Sequence, residues 1–476
     1  MYRVATREGA EAAYHADAGE RVQHGYVASS EDRPAVRVRQ RTAVAAVVLF
    51  ALGACSAEPR PSPTEVVAPR TSSPTGSPPG SPQAETVAPT STPEQAAWVD
   101  AGSLTLSRWS TRATTIAGGR LLVVGADNIC APGGVGPESA ITEVGDPLTG
   151  RWVEGGPLPR PREAFILKPL PDGSALVIGG LTDRVEGVGF QSFSSTFRFD
   201  PDTLSWQRSG DLNVARQAPL TAVLADGRIL VAGGWYRDGG SQFTALRSAE
   251  IFDPETATWT TTGLMANARV RVPVGGSAAT LADGRVLVIS RNADRSADLS
   301  AELYDPASGQ WSSAGSPRIE AGGLVPLRDG GALAISGTTF GGYPDPTISL
   351  PDPTTGRTAR FDPRSGTWRD AASTLGKFTD RSFVTLADGR VLAAGGQRRN
   401  LDPGQPAFVA EAELYDPASD SWVATAPLPD QRGGATPVLL ADGSVVLVGG
   451  AQGAWPGGSG SCPGSSDTAI RYMPRG

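Results

Sequence analysis

Histidine is nearly missing from this 476-residue chain: His15 and His24 are the only two, and nothing beyond residue 24 offers an imidazole. That removes histidine-ligated metals and Ser-His-Asp chemistry from almost the whole sequence. Cysteine is nearly as scarce, with Cys55, Cys130 and Cys462 alone, too few for a disulfide framework. Charged residues make up 19% of the chain, with a net charge of -7, which argues against a general nucleic-acid binder. Sustained helical periodicity is absent, and so are a phosphate-cradling G-x-x-x-x-G-K-[ST] loop and a calcium loop. What the chain has instead is glycine (59) and proline (40), the composition of a turn-rich β protein.

The longest apolar run, Ala43 to Leu52, follows Arg37, Arg39 and Arg41 and precedes LGAC at Cys55. It is too short to cross a bilayer comfortably and reads as a signal peptide over 36–54. LGAC resembles the lipobox of bacterial lipoproteins, and the resemblance implies that Cys55 is lipidated and heads the mature chain. An uncleaved anchor and an ordinary peptidase site are the other readings. Residues 1–35 are polar, unlike a signal peptide's start, and are expected to be a start-site extension or a disordered tail. From Cys55 to residue 95 the chain is rich in Pro, Ser and Thr and too poor in large apolar side chains to build a core. As a polyproline-like tether at ~3.1 Å per residue, it would reach roughly 120 Å.

Beyond the tether the sequence repeats. TEVGDPLTGRW, TFRFDPDTLSW, AEIFDPETATW, AELYDPASGQW, TARFDPRSGTW and AELYDPASDSW end at Trp152, Trp206, Trp259, Trp311, Trp368 and Trp422, 52 to 57 residues apart. A fixed period of this length marks a propeller or solenoid. A second element keeps step, as in LADGRILVAGG (224–234) and LADGRVLAAGG (386–396). Asp-Gly between apolar runs predicts a hairpin in which both turn residues take positive φ. Proline cannot donate to a ladder, so Asp-Pro predicts the turn before the Trp strand. Each unit thus reads as four strands.

Gly-Gly, Tyr/Phe-Asp-Pro and a following Trp, in register, resemble the kelch repeat. The resemblance covers 96–476 and implies an all-β, seven-bladed β-propeller with four-stranded blades. The last unit ends before any tryptophan, whereas WVDAGSLTLSR at Trp98 aligns with WVEGGPLPRPR and WVATAPLPDQR. The N-terminal strand is therefore expected to complete the last blade. Cys130 and Cys462 follow the Gly-Gly strands of units one and seven, neighbours in a closed ring. They are expected to form a disulfide across the seam, the alternative being two free thiols.

Kelch propellers include copper radical oxidases such as galactose oxidase, which hold copper with two histidines and two tyrosines. With no histidine in the expected mature chain, the resemblance carries over the fold, with no metal or other cofactor and no catalytic residue assigned. The recurring candidates are arginines. Arg108, Arg162, Arg216 and Arg432 stand ten residues before the Asp-Gly position, and Arg271, Arg318 and Lys377 lie within two positions of it. A ring of guanidinium groups at one channel mouth would bind carboxylates. Repetition with the blades equally suits a scaffold role, and Glu250, Glu302 and Glu413 stand ready to pair with some of them. Loops after Gly-Gly carry Trp235, Tyr236, Phe243, Phe340, Tyr343 and Trp455, candidate stacking platforms. The expectation is a lipid-anchored binding module on the outer face of the bacterial cytoplasmic membrane. It would recognise an envelope glycan or protein and no nucleic acid. The alternatives are a metal-independent sugar-active enzyme of the sialic acid mutarotase type and a structural scaffold of an envelope complex.

Overall fold

The computed structural model describes residues 96–474, apart from 109–110, 126–136, 186–188, 240–242, 270–276, 292–298, 320, 338–355, 399–407 and 454–463. Among the described residues there is no α-helix, and seven antiparallel four-stranded sheets form the blades of a β-propeller. From the channel outwards, blade 1 consists of Arg112–Thr115, Leu121–Val124, Thr142–Asp146 and Arg151–Glu154. Blade 2 is Ile166–Pro169, Ala175–Ile178, Thr196–Asp200 and Ser205–Arg208. Blade 3 is Leu220–Val223, Ile229–Ala232, Ala249–Asp253 and Thr258–Thr261. Blade 4 is Ser277–Thr280, Val286–Arg291, Leu299–Asp305 and Gln310–Ser313. Blade 5 is Ala321–Pro326, Ala332–Ser336, Thr358–Asp362 and Thr367–Ala371. Blade 6 is Ser382–Thr385, Val391–Ala394, Ala412–Asp416 and Ser421–Ala424.

Blade 7 takes Thr436–Leu439, Val445–Val448 and Gly464–Met473 from the end of the chain and its outermost strand, Ala97–Arg108, from the beginning. Trp98 lies opposite Tyr472 and Ala97 opposite Met473. Closure by the N-terminal strand is thus the observed arrangement.

The second strand of each blade is buried on both faces, which is why it reads as a continuous apolar run such as LLVV or VVLV instead of alternating. Its two faces feed two different clusters. Leu176 and Ile178 pack with Ile229, Val231 and Phe252 of blade 3, whereas Ala175 and Val177 pack with Leu122 and Val124 of blade 1. The same pattern runs round the ring and across the seam, where Val446 and Val448 meet Leu121 and Val123. The outer-strand tryptophans lock neighbouring blades together. Indole Nε1 of Trp152, Trp259, Trp368 and Trp422 donates to the carbonyl of Ala101, Gly210, Ala314 and Ala372 in the segment leaving the preceding blade. Trp98 does the same to Ala426 at 2.8 Å.

The Asp-Gly hairpins differ from expectation in one respect. Only the glycine takes positive φ, as at Gly227 (84°) and Gly389 (94°). Leu224 N–H donates to Arg228 O, so the loop holds three residues, a type I turn closed by a left-handed glycine. The aspartate accepts the N–H two residues on, as Asp226 does from Arg228 at 3.1 Å. The Asp-Pro turns use the same device. The Leu148 N–H holds the Asp146 carboxyl below the usual carboxylate range, as the Arg364 N–H does Asp362 and the Ala418 N–H Asp416. The Ser308 hydroxyl is the main cause at Asp305.

Two outcomes follow from this architecture. Trp98→Ala removes the ring contact with Tyr472 at 5.0 Å and the bond to Ala426, and is expected to lower stability in urea unfolding by about 3 kcal/mol. Gln207→Ala, exposed on an outer strand, should stay within about 0.5 kcal/mol. Equal effects would contradict the seam. Because the turn aspartates have lowered pKa values when folded, they favour the fold above the unfolded value of about 3.9 and lose that contribution as pH falls through the folded values. Melting temperature should therefore hold from about pH 5 upwards and drop below about pH 4, less steeply in an Asp305→Asn, Asp362→Asn double variant. An identical acid limb in that variant would refute the assignment.

Candidate functional site

The recurring arginines are the first candidates, and the structure buries them. Arg108, Arg162, Arg216 and Arg432 expose 1% of their surface or less. Each runs from the segment leading into its blade to the end of that blade's second strand. Nη1 of Arg162, Arg216 and Arg432 donates to the carbonyl of Gly179, Gly233 and Gly449 at 2.9, 2.9 and 3.1 Å. Arg108 does so to Gly125. The other arm reaches the third strand. Arg216 meets Glu250 at 2.6 Å, Arg108 meets Glu143, and Arg432 donates to Thr468 Oγ1 at 2.7 Å and pairs with Asp430. Arg162 has Ser195 Oγ at 3.2 Å and lies over the Phe193 and Phe197 rings.

These four arginines therefore do not ring an open mouth. Arg271 lies outside the described residues; Arg269 fills the blade 4 slot, with Glu302 at 2.8 Å. In blade 6 Arg381 takes the place expected for Lys377, with Glu413 at 3.0 Å, and Lys377 is exposed. Burial pulls the guanidinium pKa of Arg108, Arg216, Arg269 and Arg381 below the ordinary arginine value, and the paired glutamate opposes it. The glutamates also accept backbone N–H groups, Glu250 those of Asn213 and Val214 at 2.7 and 3.1 Å. A buried ion pair whose carboxylate is also tied to the backbone is a structural unit.

The backbone of the same arginines makes the second link. The second glycine of each Gly-Gly donates to the next blade's arginine carbonyl: Gly180 to Arg216, Gly234 to Arg269, Gly396 to Arg432 and, across the seam, Gly450 to Arg108, at 2.8 to 3.0 Å. The first glycine sits against that carbonyl. A Cβ on Gly233 would stand 2.2 Å from Arg269 O, and φ there is +64°. Only glycine satisfies both conditions.

What remains exposed is a cluster that the loops build. After the second strand, blade 2 adds a hairpin of Leu181–Val185 and Gly189–Ser192, and blade 3 adds one of Trp235–Tyr236 and Thr244–Ala245. The two lean on each other. Ser192 N–H donates to Arg237 O at 2.9 Å, and Arg237 N–H to Ser192 Oγ at 3.0 Å. The Arg237 guanidinium lies 4.7 Å from the Phe190 ring and 4.4 Å from the Phe243 ring. Trp235 meets Phe243 edge-on at 5.8 Å and is fixed by paired backbone bonds with Gln217. Trp235 and Tyr236 are half-buried and Phe243 is 46% exposed. A cation held between aromatic rings stiffens all of them and leaves a fixed, partly apolar surface facing solvent.

Of the aromatic candidates, the structure brings Trp235 and Phe243 to this cluster, and Tyr236 follows Trp235 on the same hairpin, half-buried. Phe340, Tyr343 and Trp455 lie outside the described residues, as do Cys55, Cys130 and Cys462. Sequence reasoning missed Phe190 and Arg237, although Arg237 follows Trp235 and Tyr236 directly. Among the described residues no group of three or more His, Cys, Asp or Glu converges. A copper centre of the oxidase kind needs imidazole donors, and 96–476 has none. The propeller's residues do not fit that metal.

The model of the Kelch motif matches residues 218–262, the whole of blade 3. The chain is a kelch-repeat β-propeller. It is 30% identical to an F-box/kelch-repeat protein of Arabidopsis thaliana over 171 residues, 36% of this chain and 42% of that protein. It is 27% identical to a galactose oxidase of Gibberella zeae over 251 residues, 49% of this chain and 36% of the oxidase. The propeller thus spans about two fifths of these relatives' length. A fungal alcohol oxidase solved in complex with copper shares the fold, with a TM-score of 0.54 at 16% identity over 80% of this chain and 77% of that one. The fold is that of a binding or scaffold module or of the galactose-oxidase-like family.

The scaffold role of the arginines has a direct test. Glu250→Ala strands Arg216 in the interior and is expected to cost about 3 to 5 kcal/mol in chemical unfolding. Adding Arg216→Met should recover part of that loss. If the double variant is no more stable than the single one, the pair is not the unit described.

Proposed function

We propose that this protein is a non-catalytic recognition module of the cell envelope. It is held through a lipid on Cys55 at the outer face of the bacterial cytoplasmic membrane, and its propeller binds an envelope glycan or protein. The observation that carries the reading is the Phe190, Arg237, Phe243 and Trp235 cluster. It is built by hairpins added to two adjacent blades, and it meets solvent, half-buried at Trp235 and exposed at Phe243, where the repeated side chains are buried. Rigid aromatic area beside a cation is the chemistry of sugar faces and of peptide side chains. The LGAC sequence and the Pro/Ser/Thr-rich stretch to residue 95 supply the anchor and tether.

The full chain should retain a subset of envelope glycans or peptides on an array. Arg237→Ala and Phe243→Ala should each weaken retention about tenfold, as central aromatic and arginine contacts do, with the melting temperature little changed. Retention unaffected by both variants would remove the cluster from the reading.

A further inference from the structure

The hairpin added to blade 3 leaves one rung of its second strand open. Trp235 and Ala245 face each other across it, and Trp235 exchanges both backbone bonds with Gln217, at 2.9 Å each. Residues opposite each other in an antiparallel pair turn their backbone groups either towards one another or both away. The Ala245 N–H and C=O therefore point to the far side of the strand, and no described residue meets them. Two residues on, Arg247 O accepts the Met265 N–H at 3.0 Å. The chain leaving blade 3 covers the edge there and then turns away, since Ala266 and Asn267 give their N–H groups to Glu302 at 2.8 and 3.4 Å. Ala245 stays uncovered.

The surroundings suit a peptide with apolar and acidic side chains. In the segments leaving four other blades, Ser103, Pro157, Asp211 and Pro427 precede the buried leucine. Here Leu264 precedes the buried Met265 and is 59% exposed. Phe243, two residues before Ala245, is 46% exposed. Arg247 is exposed and donates Nε to Met265 O at 2.9 Å, while its two Nη groups make no bond among the described residues. The exposed acid of this hairpin, Asp238, lies towards blade 2, where it pairs with Gln191.

We propose that an extended segment of a partner protein adds a strand at Ala245, sets an apolar side chain against Phe243 and Leu264, and places a carboxylate on Arg247. The proposal rests on the recognition role given above and narrows its ligand to a peptide. An unpaired N–H and C=O on an exposed strand is a template for another chain, and flanking side chains then choose its sequence. A second backbone satisfies both groups at once, and the arginine fork gives a carboxylate paired bonds. Because Thr244–Ala245 leads into the third strand of blade 3, the docking edge lies on the rim side of the hairpin, away from the channel mouth.

The test is fluorescence anisotropy of the full chain with a labelled peptide of alternating Val and Glu. Its counterparts are a peptide of alternating Val and Lys, and the Val/Glu peptide N-methylated on one or the other set of alternate amides. Val/Glu is expected to bind at least about tenfold more tightly than Val/Lys. N-methylation of one set should weaken it about tenfold and of the other set about twofold at most. Arg247→Gln and Leu264→Ser, both on the surface, should each lower affinity about fivefold with melting curves unchanged. Equal binding of the Glu and Lys peptides, no binding at millimolar concentration, indifference to N-methylation of either set, or indifference to both variants would overturn strand addition. If Arg237→Ala still weakens retention on the array in that case, the aromatic cluster keeps its role and only the docking edge falls.

Discussion

The ring depends on one residue used twice, through its backbone and through its side chain. At the start of a blade, an arginine's carbonyl accepts the N–H of the preceding blade's second glycine, and its guanidinium closes over the end of its own blade's second strand. The first act joins blade to blade and the second joins first strand to second and third. Gly-Gly is the complement of that arginine: Gly179 and Gly395 each approach an arginine carbonyl so closely that a Cβ would stand 2.4 and 2.3 Å from it. At the seam Gly450 and Arg108 repeat the bond, so closure needs no device that the other junctions lack.

The slot is filled by chemistry and not by register. Arg269 and Arg381 come from different distances along the chain and reach the same third-strand glutamate position as Arg216 does. Where the glutamate is missing, the charge is met otherwise. Arg162 uses Ser195 and two phenylalanine rings, and Arg432 uses Asp430, whose side chain is 38% exposed. Glutamate is thus one of several ways to balance the guanidinium. In five blades the guanidinium also meets the carbonyl at the end of the second strand, which a long fork of N–H donors reaches from the leading segment, whereas Arg381 meets the Ala393 carbonyl within that strand. Blade 5 has Ala359 at the glutamate position and no buried arginine among the described residues, as a desolvated ion pair requires: removing one member alone leaves a charge in the interior.

The period, the four strands per unit and the closing role of Trp98 were legible because each rests on backbone pattern, which repeats visibly. The direction of a side chain was not. Spacing put Arg108, Arg162, Arg216 and Arg432 at one place in each blade, but the same spacing suits a ligand ring and a buried staple. The deciding clue was the companion glutamate, present in four of the quoted repeats and replaced by Ala359 in blade 5. Arg269 and Arg381 escaped because they sit four residues earlier and three residues later than the shared position. The Asp-Gly loops misled for a related reason: the dipeptide favours a two-residue turn, but the aspartate's bond to the N–H two residues on stabilises a three-residue loop in which it keeps negative φ.

Saturated repeats also say where recognition has room to exist. A guanidinium that spends its donors on Gly233, Ser248 and Glu250 has nothing left for a ligand, and exposing it would cost the blade its staple. Binding chemistry must then sit where the pattern is exceeded or broken. The hairpins added to blades 2 and 3 exceed it, setting Arg237 between two rings on the same face as the Gly-Gly ends. Blade 5 breaks it: Ala359 stands at the glutamate position, and Arg318 is exposed. The junction of blades 4 and 5 is held all the same, by the Trp368 bond to the Ala314 carbonyl and by the apolar cluster around Ile319, Leu324 and Phe361.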